Sequence, residues 1–144
     1  MRPEWRISAS PPPPASHPPP DLLVQVAIET HQTTILVRVV ESTFPGTTVL
    51  PALTSAREYR VLGKVLVLKS WWGPFPAGVV LHVAEAAECA GTIEGCTSYP
   101  LRVGDELLIV TQGTQDPIVA ALSRTWPAAE SQAAMAAFDR AVKK

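Results

Sequence analysis

The sequence predicts a mainly β fold, a small antiparallel barrel of five or six short strands with an amphipathic α-helix at the C-terminal end. Two observations predict the strands. Short runs of Val, Leu and Ile alternate with a period of two residues, and Gly63 interrupts one of them as a bend in a barrel would. A third predicts the helix, because the apolar spacing changes to three and four residues after Thr125. We therefore expect the helix to pack against the barrel.

Length and composition fit one globular domain with an ordinary hydrophobic core. The chain has 144 residues, of which 47% are hydrophobic and 17% are charged. Its formal net charge is −1, which argues against nucleic acid and anionic membrane surfaces as partners, since both require clustered Lys and Arg. No apolar run approaches the roughly 18 residues of a membrane-spanning helix.

Residues 1–20 differ in composition from the rest of the chain. Eight of the fifteen prolines lie there, mostly in Pro11–Pro14 and Pro18–Pro20. Proline fixes φ and donates no backbone hydrogen bond, so we expect a disordered, extended tail or linker. Such a segment can act as a spacer, for instance as a tether to a membrane, or as a ligand for a polyproline-binding domain. A single folded domain is expected at 21–144.

The first part of this domain is predicted to hold strand structure followed by a long loop. Leu22–Glu41 has a strand-like pattern with a polar interruption at Glu29–Gln32. The part from Thr33 onward alternates between two faces that are both largely apolar, so we expect it to be covered on both sides. Phe44–Ala56 contains Pro, Gly, Thr and Ser without periodicity, which is typical of a loop.

The central segment, Arg57–Val83, predicts two strands joined by an aromatic loop. The first strand alternates from Tyr59 to Leu68, and Gly63 within it indicates a bulge or a sharp bend. The second strand is predicted over Gly78–Glu85. Together they are the strongest sequence indication of a barrel.

The last part is predicted to form a hairpin, one more strand and the helix. Tyr99–Gly113 should hold a short strand, a tight turn at Val103-Gly104-Asp105 and a strand ending at Thr111. A further strand is predicted over Ile118–Leu122.

For the helix, Thr125 is the predicted N-cap and Pro127 falls in the first turn. Its apolar stripe is predicted to consist of Met135, Phe138 and Val142.

The loop between the two central strands holds the candidate partner-binding residues Trp71, Trp72 and Phe75. Tryptophan is a preferred interface anchor, and the prolines of this loop lower the entropic cost of presenting it. Three aromatic rings are also difficult to hide in a tight loop. The alternative is that Trp71 and Phe75 cap one end of the barrel and Trp72 alone is partly exposed.

The sequence contains no pattern typical of an active site. It has no Gly-x-Ser-x-Gly motif, no phosphate-binding glycine loop and no Cys–His arrangement of a known family type. The three histidines, His17, His31 and His82, are scattered along the chain, and the carboxylates are dispersed. We therefore expect no enzymatic activity, no cofactor and no metal.

Three segments together carry a resemblance to a known family. YRVLGKVLVLKSWWGPFPAGVVLHV, from Tyr59 onward, resembles the strand pair of the tissue inhibitor of metalloproteinases-like, or netrin-like, module. CTSYPLRVGDELLIV is similar to that module's cysteine, glycine turn and following strand, and LSRTWPAAESQAAMAAF resembles its closing segment and helix. The match spans roughly residues 24–140, with matching positions at Leu101, Gly104, Leu107, Leu108, Arg124 and Thr125.

The resemblance implies an OB-type barrel flanked by a helix, in an exported protein of the periplasm, the cell surface or the medium. If Met1 is the true start, a cytoplasmic location is expected instead. Inhibitors of this family chelate a catalytic zinc through an N-terminal cysteine, but no cysteine precedes Cys89 here. Leu122 also stands where the closing cysteine would be. The inhibitory mechanism is therefore not carried over.

The resulting hypothesis is a non-enzymatic, exported binding or scaffold module with an unknown protein partner. One alternative is a metalloprotease inhibitor that works without the cysteine. Another is an OB-type binder of single-stranded nucleic acid, which the charge balance disfavours.

The two cysteines, Cys89 and Cys96, leave three possibilities. The resemblance favours a disulfide between them over two free thiols. A zinc site formed by this pair with His82 or His31 is the third possibility, although the cysteine spacing is wider than in structural zinc knuckles.

Overall fold

The computed structural model of the chain describes residues 18–42, 49–51, 58–86, 101–119 and 122–143. Within these ranges the chain forms seven strands and two α-helices. In chain order they are α1 (Asp21–Thr30), β1 (Thr33–Ser42), β2 (Val49–Pro51), β3 (Glu58–Trp72), β4 (Val80–Ala86), β5 (Glu106–Thr111), β6 (Ile118–Val119), β7 (Ser123–Pro127) and α2 (Gln132–Val142). The prediction of a mainly β fold with a C-terminal helix is confirmed.

All seven strands belong to one sheet. Six of them lie in the order β6-β4-β3-β1-β5-β7, and the short β2 pairs with β3 beside this path. Every pair is antiparallel except β4 with β6, which is parallel, so the sheet is mixed and the fully antiparallel prediction is wrong at that pair. Among the described residues no pairing joins β6 to β7, and the sheet is not closed by hydrogen bonds at its two ends.

One face of the sheet carries an inner aliphatic cluster. Alternate residues of β1 and β3 point to this side, which is why the period-two pattern of the sequence matches the burial. Among the described residues the cluster consists of Ile35, Val37, Val39, Val65, Val67, Phe75, Leu81, Val83, Leu101, Leu107, Ile109 and Ile118.

The other face carries an outer aromatic cluster, which both helices cover. Its buried members are Ala27, Trp71, Leu108, Val110, Trp126, Ala134 and Phe138. β5 contributes to both clusters, because Leu107 and Ile109 face inward while Leu108 and Val110 face outward. β1 does so only near its start: Leu36 packs against the outer cluster, whereas Arg38 and Val40 are exposed. The prediction that this strand is covered on both sides is therefore wrong for its second half.

Asp21–Thr30 is a helix, and the predicted strand structure over these residues is wrong. Leu23 and Ala27 are four residues apart, as are Val24 and Ile28, so one helical face packs against the outer aromatic cluster. The polar stretch at Glu29–Gln32 marks the end of this helix and the turn into β1.

The C-terminal helix begins later than predicted. Thr125 and Pro127 belong to β7, where they pair with Ile109 and Leu107 of β5. A strand at the edge of a sheet tolerates proline. Proline has no backbone N–H, and on the unpaired side of an edge strand no partner strand needs that donor. The helix follows Ser131, whose hydroxyl donates a hydrogen bond to the carbonyl oxygen of Pro127 (2.8 Å).

The apolar stripe of α2 is shorter than predicted. Phe138 is fully buried and Met135 is partly buried, but Val142 is 49% exposed. The stripe therefore ends at Phe138.

Gly63 lies at a β-bulge, as the sequence predicts. The β3–β4 register shifts between Val61 and Gly63. A Cβ at this position would come within 2.3 Å of the Glu41 carbonyl oxygen and 2.9 Å of Leu101 Cδ1, so only glycine fits.

The remaining predictions have mixed outcomes. The turn before β5 is confirmed by the hydrogen bond from Asp105 N to the Arg102 carbonyl oxygen (3.0 Å) and by the positive φ of Gly104. The short strand β2 falls inside the predicted loop Phe44–Ala56, which is therefore not entirely loop. Most of the proline-rich tail and the pair Cys89 and Cys96 lie outside the described residues, so what the sequence predicts for them stays a prediction.

Candidate functional site

A β-bulge places the two adjacent tryptophans beside the same helix. In the β1–β3 ladder Thr34 pairs with Trp72 and Ile35 with Ser70, so Trp71 is the extra residue of the bulge. Both indoles consequently reach Phe138 of α2. The ring centroids lie 5.5 Å from Phe138 for Trp71, at a tilt of 56°, and 5.8 Å for Trp72, which stands edge-on.

Trp71 is held in a fixed position by α2. Its indole Nε1 donates a hydrogen bond to Asp139 Oδ1 (2.8 Å), and Lys69 Nζ donates to the same oxygen (2.6 Å). Lys69 Nζ also lies 5.1 Å from the centre of the Trp71 ring. The Lys69 hydrogen bond first, and the Trp71 hydrogen bond second, hold the pKa of the Asp139 carboxyl below its usual value of 3.8. Trp71, which is 8% exposed, is therefore a packing residue.

Trp72 is only partly buried, and His31 orders it. The two rings are stacked, with centroids 5.1 Å apart and planes 7° from parallel. His31 ends α1 in the left-handed conformation, with φ at 53°, and this turn brings its ring over the indole. Trp72 thus lies between His31 and Phe138 with part of its surface in solvent.

The loop after Trp72 forms an open groove beside it. Gly73, Pro74, Pro76 and Ala77 are exposed and line this groove together with the end of β3. Gly73 has φ at 115°, and a Cβ there would come within 2.7 Å of Thr33 Oγ1. The bend that opens the groove therefore requires glycine.

The three predicted partner-binding residues have different surroundings. Phe75 is 7% exposed and belongs to the inner aliphatic cluster, and Trp71 is buried under α2. Of the three, only Trp72 is partly exposed, as the second alternative given by the sequence expects. That alternative is wrong for Trp71, which lies in β3 under α2 and does not cap an end of the sheet. His31 was missed as a member of this site, since nothing in the sequence marks a left-handed residue that stacks on a ring 41 positions later.

The second described histidine, His82, has a partner of its own. Its Nδ1 lies 3.0 Å from Asp116 Oδ2, and its backbone N–H donates to Asp116 Oδ1 (2.7 Å). Within the described ranges no three His, Cys, Asp or Glu side chains are grouped so that they could hold a metal ion. The cysteines of the suggested zinc site lie outside those ranges.

Among the described residues no helix is long and apolar enough to cross a membrane. Comparison of the chain with protein-family models, with curated proteins and with solved structures gives no match.

Proposed function

We propose that this protein is a non-enzymatic, exported binding module of OB type whose protein partner contacts Trp72 and the adjoining groove. The observation that carries the proposal is a partly exposed tryptophan whose ring is already held in place. Its ring is fixed by His31 on one face and by the edge contact with Phe138. Binding would therefore cost little side-chain conformational entropy at Trp72. Tryptophan is also the residue type most enriched among interface residues that dominate affinity.

The order of the strands supports the OB-type barrel and, with it, the resemblance to tissue inhibitor of metalloproteinases-like modules. β6 pairs with β4, β7 pairs with β5, and only residues 120–122 separate β6 from β7. Taken as one interrupted strand, they give the circular order β1-β3-β4-(β6, β7)-β5-β1. A five-stranded Greek-key barrel of the OB type has this kind of closed order.

The groove supports an extended protein segment as the ligand. It is shallow and open to solvent, and its rim combines an indole with two prolines. Prolines at the rim hold its backbone rigid, and their rings add apolar contact area next to Trp72. We infer that the partner inserts an apolar side chain beside Trp72.

A photocrosslinking experiment tests the proposal. A photoreactive phenylalanine analogue is placed at Ala77, on the rim of the groove, in the full-length protein made by the cells that normally produce it. We expect a discrete covalent adduct that protease digestion removes and nuclease digestion does not. Trp72→Ser should abolish the adduct and weaken binding of the identified partner by about 30-fold, the effect of losing a dominant interface residue.

The matched control places the same analogue at Val103, which is 66% exposed and lies in the turn before β5. Gly104 N binds the Val39 carbonyl oxygen, so this turn lies at the opposite end of β1 from Thr34 and Trp72. Adducts of equal yield from both positions, or an adduct that survives in a folded Trp72→Ser protein, would reject the proposed contact surface. A metalloprotease as the partner would instead identify the protein as an inhibitor without the cysteine.

A further inference from the structure

A second cleft lies between α1 and the outer face of the β5–β7 pair, and the proposed function does not use it. Its volume is about 230 Å³. An engineered cavity of about 150 Å³ is large enough for benzene, so the cleft can hold a small organic molecule. Leu23 and Val26 of α1 form one wall, and Val110 of β5 forms the floor.

The pairing of β5 with β7 gives the cleft an apolar end and a polar end. Cross-strand pairing places Leu108 beside Trp126 at the inner end and Val110 beside Arg124 further out. Beyond them, Gln112 N donates to the Leu122 carbonyl oxygen (3.1 Å). Arg124 and Trp126 are two residues apart on β7 and line the same cleft, as alternation on a strand requires.

One buried donor and one cationic donor that line the cleft have no acceptor among the described residues. Trp126 is 5% exposed, and its indole N–H meets no acceptor in the described part of the chain. A buried indole N–H without a partner is unusual, because its desolvation is not compensated. Arg124 is likewise unpaired among the described residues, whereas Arg38 and Lys69 each bind a carboxylate.

We propose that this cleft binds a small apolar carboxylate. Its carboxylate would accept hydrogen bonds from the buried Trp126 indole N–H and from the Arg124 guanidinium. Its hydrocarbon part would lie against Val110, Leu23 and Val26. Arginine suits this role because its planar donors match the two oxygens of a carboxylate.

Titration of the full chain with hexanoate, followed by ¹H–¹⁵N NMR, tests the proposal. We expect a saturable shift of the Trp126 indole resonance, assigned with Trp126→Phe, and of the Val110 amide. Hexan-1-ol has the same chain without the charge and should leave both resonances in place at the same concentration. Arg124→Gln should weaken hexanoate binding at least about tenfold, as expected for a lost hydrogen bond between charged groups.

Arg102→Gln is the matched control. The Arg102 side chain is also exposed and has no partner among the described residues, but it lies in the turn at the far end of β5. This variant should bind hexanoate like the unmodified protein. A Trp126 indole resonance that does not move with hexanoate overturns the proposal. So does a shift that hexan-1-ol reproduces, or one that folded Arg124→Gln retains at full affinity.

Discussion

The inner aliphatic cluster and the outer aromatic cluster occupy opposite faces of one sheet, and the chain builds them in different ways. The inner cluster takes alternate residues from strands that are neighbours in the sheet. The outer cluster joins α1, the bulge at Trp71 and Trp72, and α2, which lie far apart in the sequence. Its contacts are specific ones between rings, a carboxylate and an ammonium group.

This difference assigns different roles to the two faces. The inner face is almost wholly aliphatic and contributes stability through burial alone. The outer face adds oriented contacts, and these set the position of Trp72, the one indole among the described residues that is partly exposed. The same residues therefore stabilise the fold and fix the candidate binding surface.

The largest expected effect comes from Phe138→Ala, which tests whether the outer cluster is a core in its own right. Phe138 is fully buried and contacts both tryptophans, so its truncation should lower the free energy of unfolding by about 3–5 kcal/mol. Leu107→Ala, from the inner cluster, should cost about 2–5 kcal/mol. Urea denaturation measures both. A cost below about 1 kcal/mol for Phe138→Ala would show that the outer cluster contributes little to stability and is not a core in its own right.

Gly63→Ala tests whether the inner cluster depends on close backbone approach. The added Cβ would clash with the Glu41 carbonyl oxygen, and we expect a loss of about 1–3 kcal/mol. Gly113→Ala is the control, because there the nearest atom lies at 3.4 Å. Thermal unfolding of the two variants should separate them, and equal midpoints would show that β3 can shift away from β1.

Asp139→Asn tests the electrostatic part of the outer cluster. The folded-state pKa of Asp139 lies below its unfolded value, so its charge stabilises the fold above pH 4. That contribution disappears as the pH falls through the lowered pKa. We therefore expect the variant to be less stable than the parent at pH 7 and to lose less stability between pH 4 and pH 2. Urea denaturation of the variant and the parent across this range measures the difference, and equal losses of stability in the two proteins would contradict it.

His31→Gly is expected to change stability least and the candidate site most. Glycine accepts the left-handed conformation without strain, so removing the ring should cost less than about 1.5 kcal/mol, the value of an aromatic pair. Acrylamide quenching of tryptophan fluorescence should rise, because Trp72 loses its stacked cover. Unchanged quenching would mean that Phe138 alone orders the indole.

The sequence was a good guide where burial follows a simple period. The strand at Tyr59–Leu68, the bulge at Gly63 and the turn before β5 were all predicted, because alternation and glycine report directly on backbone geometry. Leu22–Thr30 was assigned wrongly because its apolar residues satisfy both a two-residue and a four-residue spacing. The sequence of this segment does not indicate that the outer face of the sheet must be covered by a helix.

The candidate site was only partly predictable for a similar reason. The sequence identified Trp71, Trp72 and Phe75 as a group, but their exposure depends on a bulge and on a helix about 66 residues away. The stacking of His31 on Trp72 depends on how α1 ends, which propensities do not specify. Contacts of this kind follow from tertiary structure.

β5 has a consequence for how the molecule opens. Five of its six residues are buried, and four of these, Leu107 to Val110, alternate between the two clusters. It also pairs with β1 on one side and with β7 on the other. Pulling β5 away from one cluster would therefore also remove it from the other. Opening the sheet locally at β5 should cost as much free energy as unfolding the whole domain. The backbone amides of Leu108 and Ile109 should exchange with solvent only through global unfolding, as the slowest protons in the described part of the chain.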